Sequence, residues 1–396
     1  MLYYNEAKGD VYLKEVILLY KAVLFDVDGV FLSEERCFDA SALSVWELLH
    51  APHYLGVDEK KHVIQPSEEQ IRRIRKEVFV SDQVLDWMKQ RGLNSNWDMV
   101  YLVFSGQLML ILKELYQVKP DWVKQLLSEP LTAETLQQIK NEASGFKPRF
   151  SRFISLFDGK EKLDKHQLLV YFNELAYQWF GFAIDSFSRN SSLWKLAYSV
   201  YQEWYLGDKR YLETEGKPAR QQGKEGFLEN EIALADPDVI KQLLTELKEK
   251  GIKAGIGTGR SFLETEIPFR SFGWLSLLDE NHIATASDVI EAEKTYPASA
   301  PLGKPEPFTY VRAYLGRDVD ISECLKQPLP LENGKEILIV GDSVADLLAA
   351  RKMGCDFAAT LTGLTGEKAR EKFEALEADY ILEDITHLMP LLQRIG

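Results

Sequence analysis

Residues 21–31 read KAVLFDVDGVF, an apolar run that ends in Asp26 and Asp28, two positions apart, followed by Gly29. On an extended chain, residues i and i+2 project to the same side. The two carboxylates are therefore expected to share one space at the end of a strand, where open α/β sheets bind their ligands. Adjacent carboxylates repel unless a cation or a proton lies between them. Mg2+, a hard ion that prefers oxygen ligands, is the simplest solution. Gly29 lets the backbone turn away and brings an amide close to a ligand. By itself the stretch also reads as a solvated Asp-x-Asp-Gly turn.

Three further segments carry residues of the same kind. GTGR (257–260) ends a second apolar run. Thr258 offers a hydroxyl there, and Gly259 and Arg260 lead into a helix whose N-terminal amides favour anions. GKPEP (303–307) holds Lys304 in a turn, where an ammonium can neutralise phosphate or carboxylate charge. ILIVGDSVADLLAARKMG (337–354) is an apolar strand that ends at Gly341 and Asp342 and passes at once into a helix. Asp342 is a third carboxylate, suited to complete an Mg2+ site. Asp346 lies at the helix start, where it either supports Ser343, Lys304 or the metal site, or complements the helix dipole. Singly, each segment also has an ordinary reading: a strand-to-helix turn, an exposed lysine, a helix-start charge.

The elements that must position these residues alternate. Short apolar runs at 22–25, 252–259, 282–287, 336–342, 355–363 and 378–384 are bounded by Gly, Asp or Asn, as buried strands are. Helical patterns lie between them. At 236–251, Asp236 caps, Pro237 occupies the first turn and Gly251 terminates. Strand and helix in alternation predict an α/β fold, a parallel sheet with helices on both faces. From about 34 to 205 the chain instead reads helical and aromatic, so a helical domain interrupts the α/β one. Residues 207–226, rich in Gly and charge, read as a mobile return linker. The expected division is an N-terminal extension at 1–20, an α/β core at 21–32 and 233–396, and a mostly helical insertion at 33–232.

Composition narrows the class. The 396 residues suffice for two or three domains of ~100–200 residues. The formal net charge of −14 disfavours a general role in binding nucleic acid or anionic membrane, though not a local pocket for a small anion. Cys37, Cys324 and Cys355 are far apart, which disfavours a zinc site or a disulfide framework and suits a reducing cytosol. The N-terminus lacks the shape of a signal peptide, and the apolar run near 102–112 is too short to span a bilayer. The expected location is cytoplasmic.

Together and in this order, DVDGV, TGR, GKPEP and GDSVAD resemble the motifs of the haloacid dehalogenase (HAD) superfamily of phosphohydrolases. CDFAATLTGLTG and ADYILEDITHLMPLL look like the terminal strands of its phosphoglycolate-phosphatase-like members. The resemblance implies a Rossmann-like core with an inserted C1-type cap. It implies Asp26 as nucleophile, Asp28 as general acid and base, and Thr258 and Lys304 as holders of the phosphoryl group. Gly29, Gly259 and Arg260 would contact phosphate or substrate. Mg2+ would be held by Asp26, the backbone carbonyl of Asp28, and Asp342, with Ser343 and Asp346 in support. The insertion departs from the pattern by its size. Its cations Lys209, Arg210 and Arg220 are read as linker charge rather than anion contacts. A phosphatase acting on a small phosphorylated metabolite is expected. A phosphomutase of the same fold and a non-catalytic binding protein are the alternatives, while Asp28 counts against a dehalogenase.

Overall fold

The protein is described from a computed structural model, which covers residues 2–4, 11–13 and 20–395 apart from 94, 144 and 161. Strands β1 (Leu2–Tyr4) and β2 (Val11–Leu13) pair antiparallel. The rest of the expected N-terminal extension, before residue 20, lies outside the described residues.

The chain divides into two compact units, residues up to Glu34 with Leu228 onward, and Glu35–Phe227. The division falls a few residues inside the expected bounds of 33 and 232. The reason is a short pairing within the first unit: Ser33 donates its N–H to the Ile232 carbonyl, and Leu234 donates to the Phe31 carbonyl.

In the first unit, β3 (Ala22–Phe25), β4 (Lys253–Gly257), β5 (Ile283–Ala284), β6 (Ile337–Gly341), β7 (Asp356–Thr360) and β8 (Tyr380–Leu382) form one sheet. The order is β5-β4-β3-β6-β7-β8, and every pair is parallel. Alternate residues feed two cores. Val23, Phe25, Ile256, Leu338 and Val340 pack into one, while Ala22, Leu24, Ile337, Ile339 and Phe357 pack into the other. A strand buried on both faces has to be apolar throughout, hence the unbroken runs. Each large side chain so buried contributes about 1.5–3 kcal/mol. Between strands, the helix Pro237–Glu249 starts where the Asp236 carboxylate accepts the N–H groups of Asp238 and Val239. It ends before Gly251, at φ +70°.

The second unit is helical, with Glu35–His50, Asn96–Val118 and Ser192–Glu215 as its longest helices. Asn96–Val118 extends well beyond the expected apolar run. It is long and apolar enough to cross a membrane, but 83% of its apolar window is buried within the protein. Two of its polar side chains reach other parts of the unit: the Tyr101 hydroxyl donates to the Leu169 carbonyl at 3.1 Å, and the Gln107 side-chain oxygen accepts from Arg149 N–H at 2.7 Å.

The stretch 207–226 is not the featureless linker that its composition suggests. The helix Ser192–Glu215 runs into it across a break at Gly207, φ 75°. A Cβ on Gly207 would lie 2.3 Å from the Glu225 carbonyl oxygen, so the glycine serves a close backbone approach. The Lys224 ammonium is buried, 2.8 Å from Glu47 and 2.6 Å from Glu203. Of the cations read as linker charge, Arg210 pairs with Glu213 at 3.0 Å and Arg220 approaches Glu134 at 3.4 Å.

Candidate active site

Strands β4, β3 and β6 are neighbours, so the segments that follow them emerge along one edge of the sheet. Asp26 follows β3 directly. Its N–H continues the ladder to the Val340 carbonyl at 2.9 Å. Beyond it the chain folds into a tight turn in which Val30, Phe31 and Leu32 all donate to the Val27 carbonyl. Asp26 is nearly buried. Its Oδ1 accepts the Val27 N–H at 2.8 Å, and its Oδ2 lies 2.8 Å from the Lys304 ammonium. That ammonium also meets Asp346 Oδ1 at 2.7 Å and the Gly257 carbonyl at 3.3 Å.

Asp346 unites the two roles left open for it. It is the N3 residue of a capping box on the helix Val344–Met353, with Ser343 as N-cap. Its Oδ2 accepts the Ser343 hydroxyl at 2.6 Å and the Ser343 N–H at 3.2 Å, while its Oδ1 takes Lys304 and the Tyr310 hydroxyl, the latter at 2.7 Å. Asp346 is fully buried and its oxygens are spent on orienting Lys304.

Asp342 stands differently. Among the described residues its carboxylate accepts no hydrogen bond. Two glycines make room for it: a Cβ at Gly29 would fall 2.2 Å from its carboxyl carbon, and one at Gly363 would fall 2.0 Å from Oδ2. Gly29 also needs its freedom at φ +72°. Its carbonyl is clamped by the hydroxyls of Thr360 at 3.0 Å and Thr362 at 2.6 Å.

The electrostatics follow from this crowding. Burial raises the Asp26 carboxyl, Lys304 opposes the rise, and the charges of Asp346 and Asp28 add to it, leaving it at about 7. Burial, then the charges of Asp346 and Asp26, push Asp342 well above the usual carboxylate range. Burial works against the Lys304 charge, but Asp26 and Asp346 outweigh it and hold the ammonium above its ordinary value. Carboxylate oxygens of Asp26, Asp342 and Asp346 lie within 4.8 Å of one another. Three acids facing one ammonium, all oxygen donors, fit a hard divalent cation. With Asp346 committed, Asp26 and Asp342 are the side chains placed to hold it.

Thr258 lies just past β4 and is buried; its N–H bonds the Ala284 carbonyl and its hydroxyl oxygen accepts the Arg260 N–H at 3.2 Å. A Cβ at Gly259 would meet nothing within 4 Å, so no packing constraint requires glycine there. Arg260, expected to contact phosphate, is instead directed at Asp28: its Nε and Nη2 reach Oδ1 of that carboxylate at 2.9 and 2.7 Å. Its Nη1 pairs with Glu231 at 2.8 Å. Sequence reading missed Tyr310, Glu231 and the two threonines. The Tyr310 ring packs against Gly257, where a Cβ would lie 2.6 Å from it.

A HAD-hydrolase-like family profile matches residues 301–388, which include Lys304, Asp342 and Asp346. The pyrophosphatase PpaX of Bacillus mycoides (strain KBAB4) is 28% identical over 162 residues, 40% of this chain, and the chain spans 60% of that protein's length. A crystal structure from the Northeast Structural Genomics Consortium is 41% identical, covering 95% of this chain and 99% of its own, with a TM-score of 0.84. The whole architecture, helical insertion included, therefore recurs in a solved protein. A HAD-superfamily hydrolase of subfamily IA, variant 1, from Geobacter sulfurreducens PCA reaches a TM-score of 0.40 at 14% identity over 96% of this chain and 100% of its own, a likeness too slight to build on. The family match holds two of the four motif segments gathered at this sheet edge, and in that part the chain is similar to HAD-like hydrolases.

Proposed function

We propose that the α/β unit is an Mg2+-dependent phosphatase that hydrolyses a small phosphorylated metabolite through an aspartyl-phosphate. The observation that carries this reading is Lys304, held between Asp26 at 2.8 Å and Asp346 at 2.7 Å beside the open carboxylate of Asp342. When bound by Asp26, Asp342 and the Asp28 carbonyl, Mg2+ would supply charge stabilisation for the phosphoryl oxygens. An Asp26 oxygen attacks phosphorus as the bond to the leaving oxygen breaks, and Asp28 gives that oxygen its proton. Asp28 then takes a proton from water, whose oxygen attacks phosphorus, and the bond to Asp26 breaks to release phosphate. Lys304 and Thr258 hold the transferring group.

The insertion is read as a cap that selects the substrate. Three buried free cysteines support a reducing, cytoplasmic setting. A phosphomutase would use the same aspartate pair but would require a bisphosphorylated primer. A binding protein that has lost catalysis would leave the paired carboxylates without a task. The test is turnover of p-nitrophenyl phosphate, pyrophosphate (prompted by the PpaX likeness) and a panel of phosphorylated metabolites, with Mg2+ and with EDTA. Mg2+-restored turnover supports the phosphatase, and turnover unaffected by EDTA removes the metal from it.

A further inference from the structure

We infer that Arg260 positions the acid/base carboxylate and does not bind the phosphoryl group. The inference rests on Asp28 being the acid/base group of the reading above. Nε at 2.9 Å and Nη2 at 2.7 Å both donate to one oxygen, Asp28 Oδ1. Oδ2 of Asp28 takes no hydrogen bond from the described residues. Arg260 thus grips the carboxylate by one oxygen and leaves Oδ2 as the atom that gives and receives the proton.

Arg260 is itself fixed. Nη1 donates to Glu231 Oε1 at 2.8 Å and to the Glu264 carbonyl at 3.2 Å. These four contacts use four of the five N–H groups of a guanidinium, and both Arg260 and Glu231 are buried. An arginine that binds phosphate would present its donors to a cavity, whereas here they are spent on two carboxylates and a carbonyl. The planar fork matters because it sets a direction as well as a charge. Glu231, which orients the fork, lies close to Ile232 and Leu234, where the chain re-enters the α/β unit and bonds to residues 31–33.

The experiment is a kinetic cycle on the full chain with Mg2+ and p-nitrophenyl phosphate. Misplacing a reacting group by about 1 Å costs about 10²-fold, so Arg260→Met is expected to lower kcat by about that factor with KM near the wild-type value. Arg260→Lys is expected to recover part of the rate. In an Asp28→Asn background, Arg260→Met is expected to cost nothing more, because its effect passes through Asp28. Since Glu231 loses its partner in Arg260→Met, the charge-balanced Arg260→Met/Glu231→Gln variant is measured beside it and is expected to show the same loss of kcat. A raised KM and weaker inhibition by inorganic phosphate, with kcat intact, would make Arg260 a phosphate ligand and overturn the inference. Losses that add to that of Asp28→Asn would overturn it as well. A wild-type protein with no Mg2+-dependent turnover would sink the phosphatase reading itself, and this inference with it. An active wild type with a fully active Arg260→Met would sink the inference alone.

Discussion

Lys304 and Lys224 each lie between two carboxylates at almost the same distances, 2.8 and 2.7 Å for the first, 2.8 and 2.6 Å for the second. Their surroundings separate them. The Lys304 side chain is 13% exposed and stands at the sheet edge beside Asp342, a carboxylate with no protein donor among the described residues. The Lys224 side chain is wholly buried, and its partners are closed off by further protein groups: Glu203 accepts the Arg220 N–H at 3.1 Å, and Glu47 lies 3.4 Å from His53. Burial raises the Glu47 carboxyl, but His53 and Lys224 more than offset it and hold it below its usual range. One triad leaves negative charge for a ligand to neutralise. The other is complete without one. A buried lysine between acids is therefore not a site by itself, and what distinguishes the site is the unsatisfied neighbour.

The largest effect expected is at Asp26. Asp26→Asn keeps the shape, replaces the nucleophile with a carboxamide, and is expected to remove turnover while leaving urea unfolding close to wild type. Near-normal rates in that variant would break the contrast drawn above.

The two lysines sharpen it directly. Lys304→Met is expected to lower kcat by about 10²–10³-fold, the usual cost of losing one charge-stabilising donor. Lys224→Met leaves Glu47 and Glu203 buried without a counter-charge and is expected to cost about 3–5 kcal/mol of stability, read as an earlier urea transition of the helical unit. If Lys224→Met instead abolished turnover in protein that stays folded, the closed triad would have a functional role and the comparison would fail.

How much of this was legible in the sequence differs between the same two regions. The strands were, because a strand covered on both faces admits only apolar residues and is followed by the polar turn that bears the chemistry. Asp26 and Asp342 were legible for that reason, and Lys304 from the turn GKPEP that holds it. Tyr310 was not, because it reads as one more aromatic on an amphipathic helix and its partner Asp346 is 36 positions away. Glu231 meets Arg260 across 29 positions, and Thr362 meets Gly29 across 333. Lys224 was not singled out in the stretch 207–226, because lysine, glutamate and glycine together signal solvent when read by composition, yet Gly207 permits close packing and the lysine is enclosed.

A smaller effect is set by pH. His50 is fully buried in the helical unit, and neither ring nitrogen has a hydrogen-bond partner among the described residues. Burial, then the Lys61 charge, lowers it to about 4 from an ordinary 6.5. The unfolded chain therefore takes the proton first. The His50 contribution is present in full above 6.5 and is lost as pH falls towards 4, by up to about 3 kcal/mol. His50→Gln is expected to flatten that limb of a stability–pH profile of the helical unit. An unchanged slope would show that His50 is not the group responsible.

The central claim is that Asp26 carries the phosphoryl group in the course of turnover. Asp28→Asn slows the release step that needs a base, so the phosphorylated enzyme is expected to accumulate. The measurement is mass spectrometry of that variant, quenched in acid during reaction with an aryl phosphate and Mg2+ and then digested with trypsin. The account predicts one phosphoryl group on the peptide 22–36, at Asp26, absent from Asp26→Asn. A phosphoryl group on any other residue, or hydrolysis by a variant in which Asp26 never becomes labelled, would contradict it.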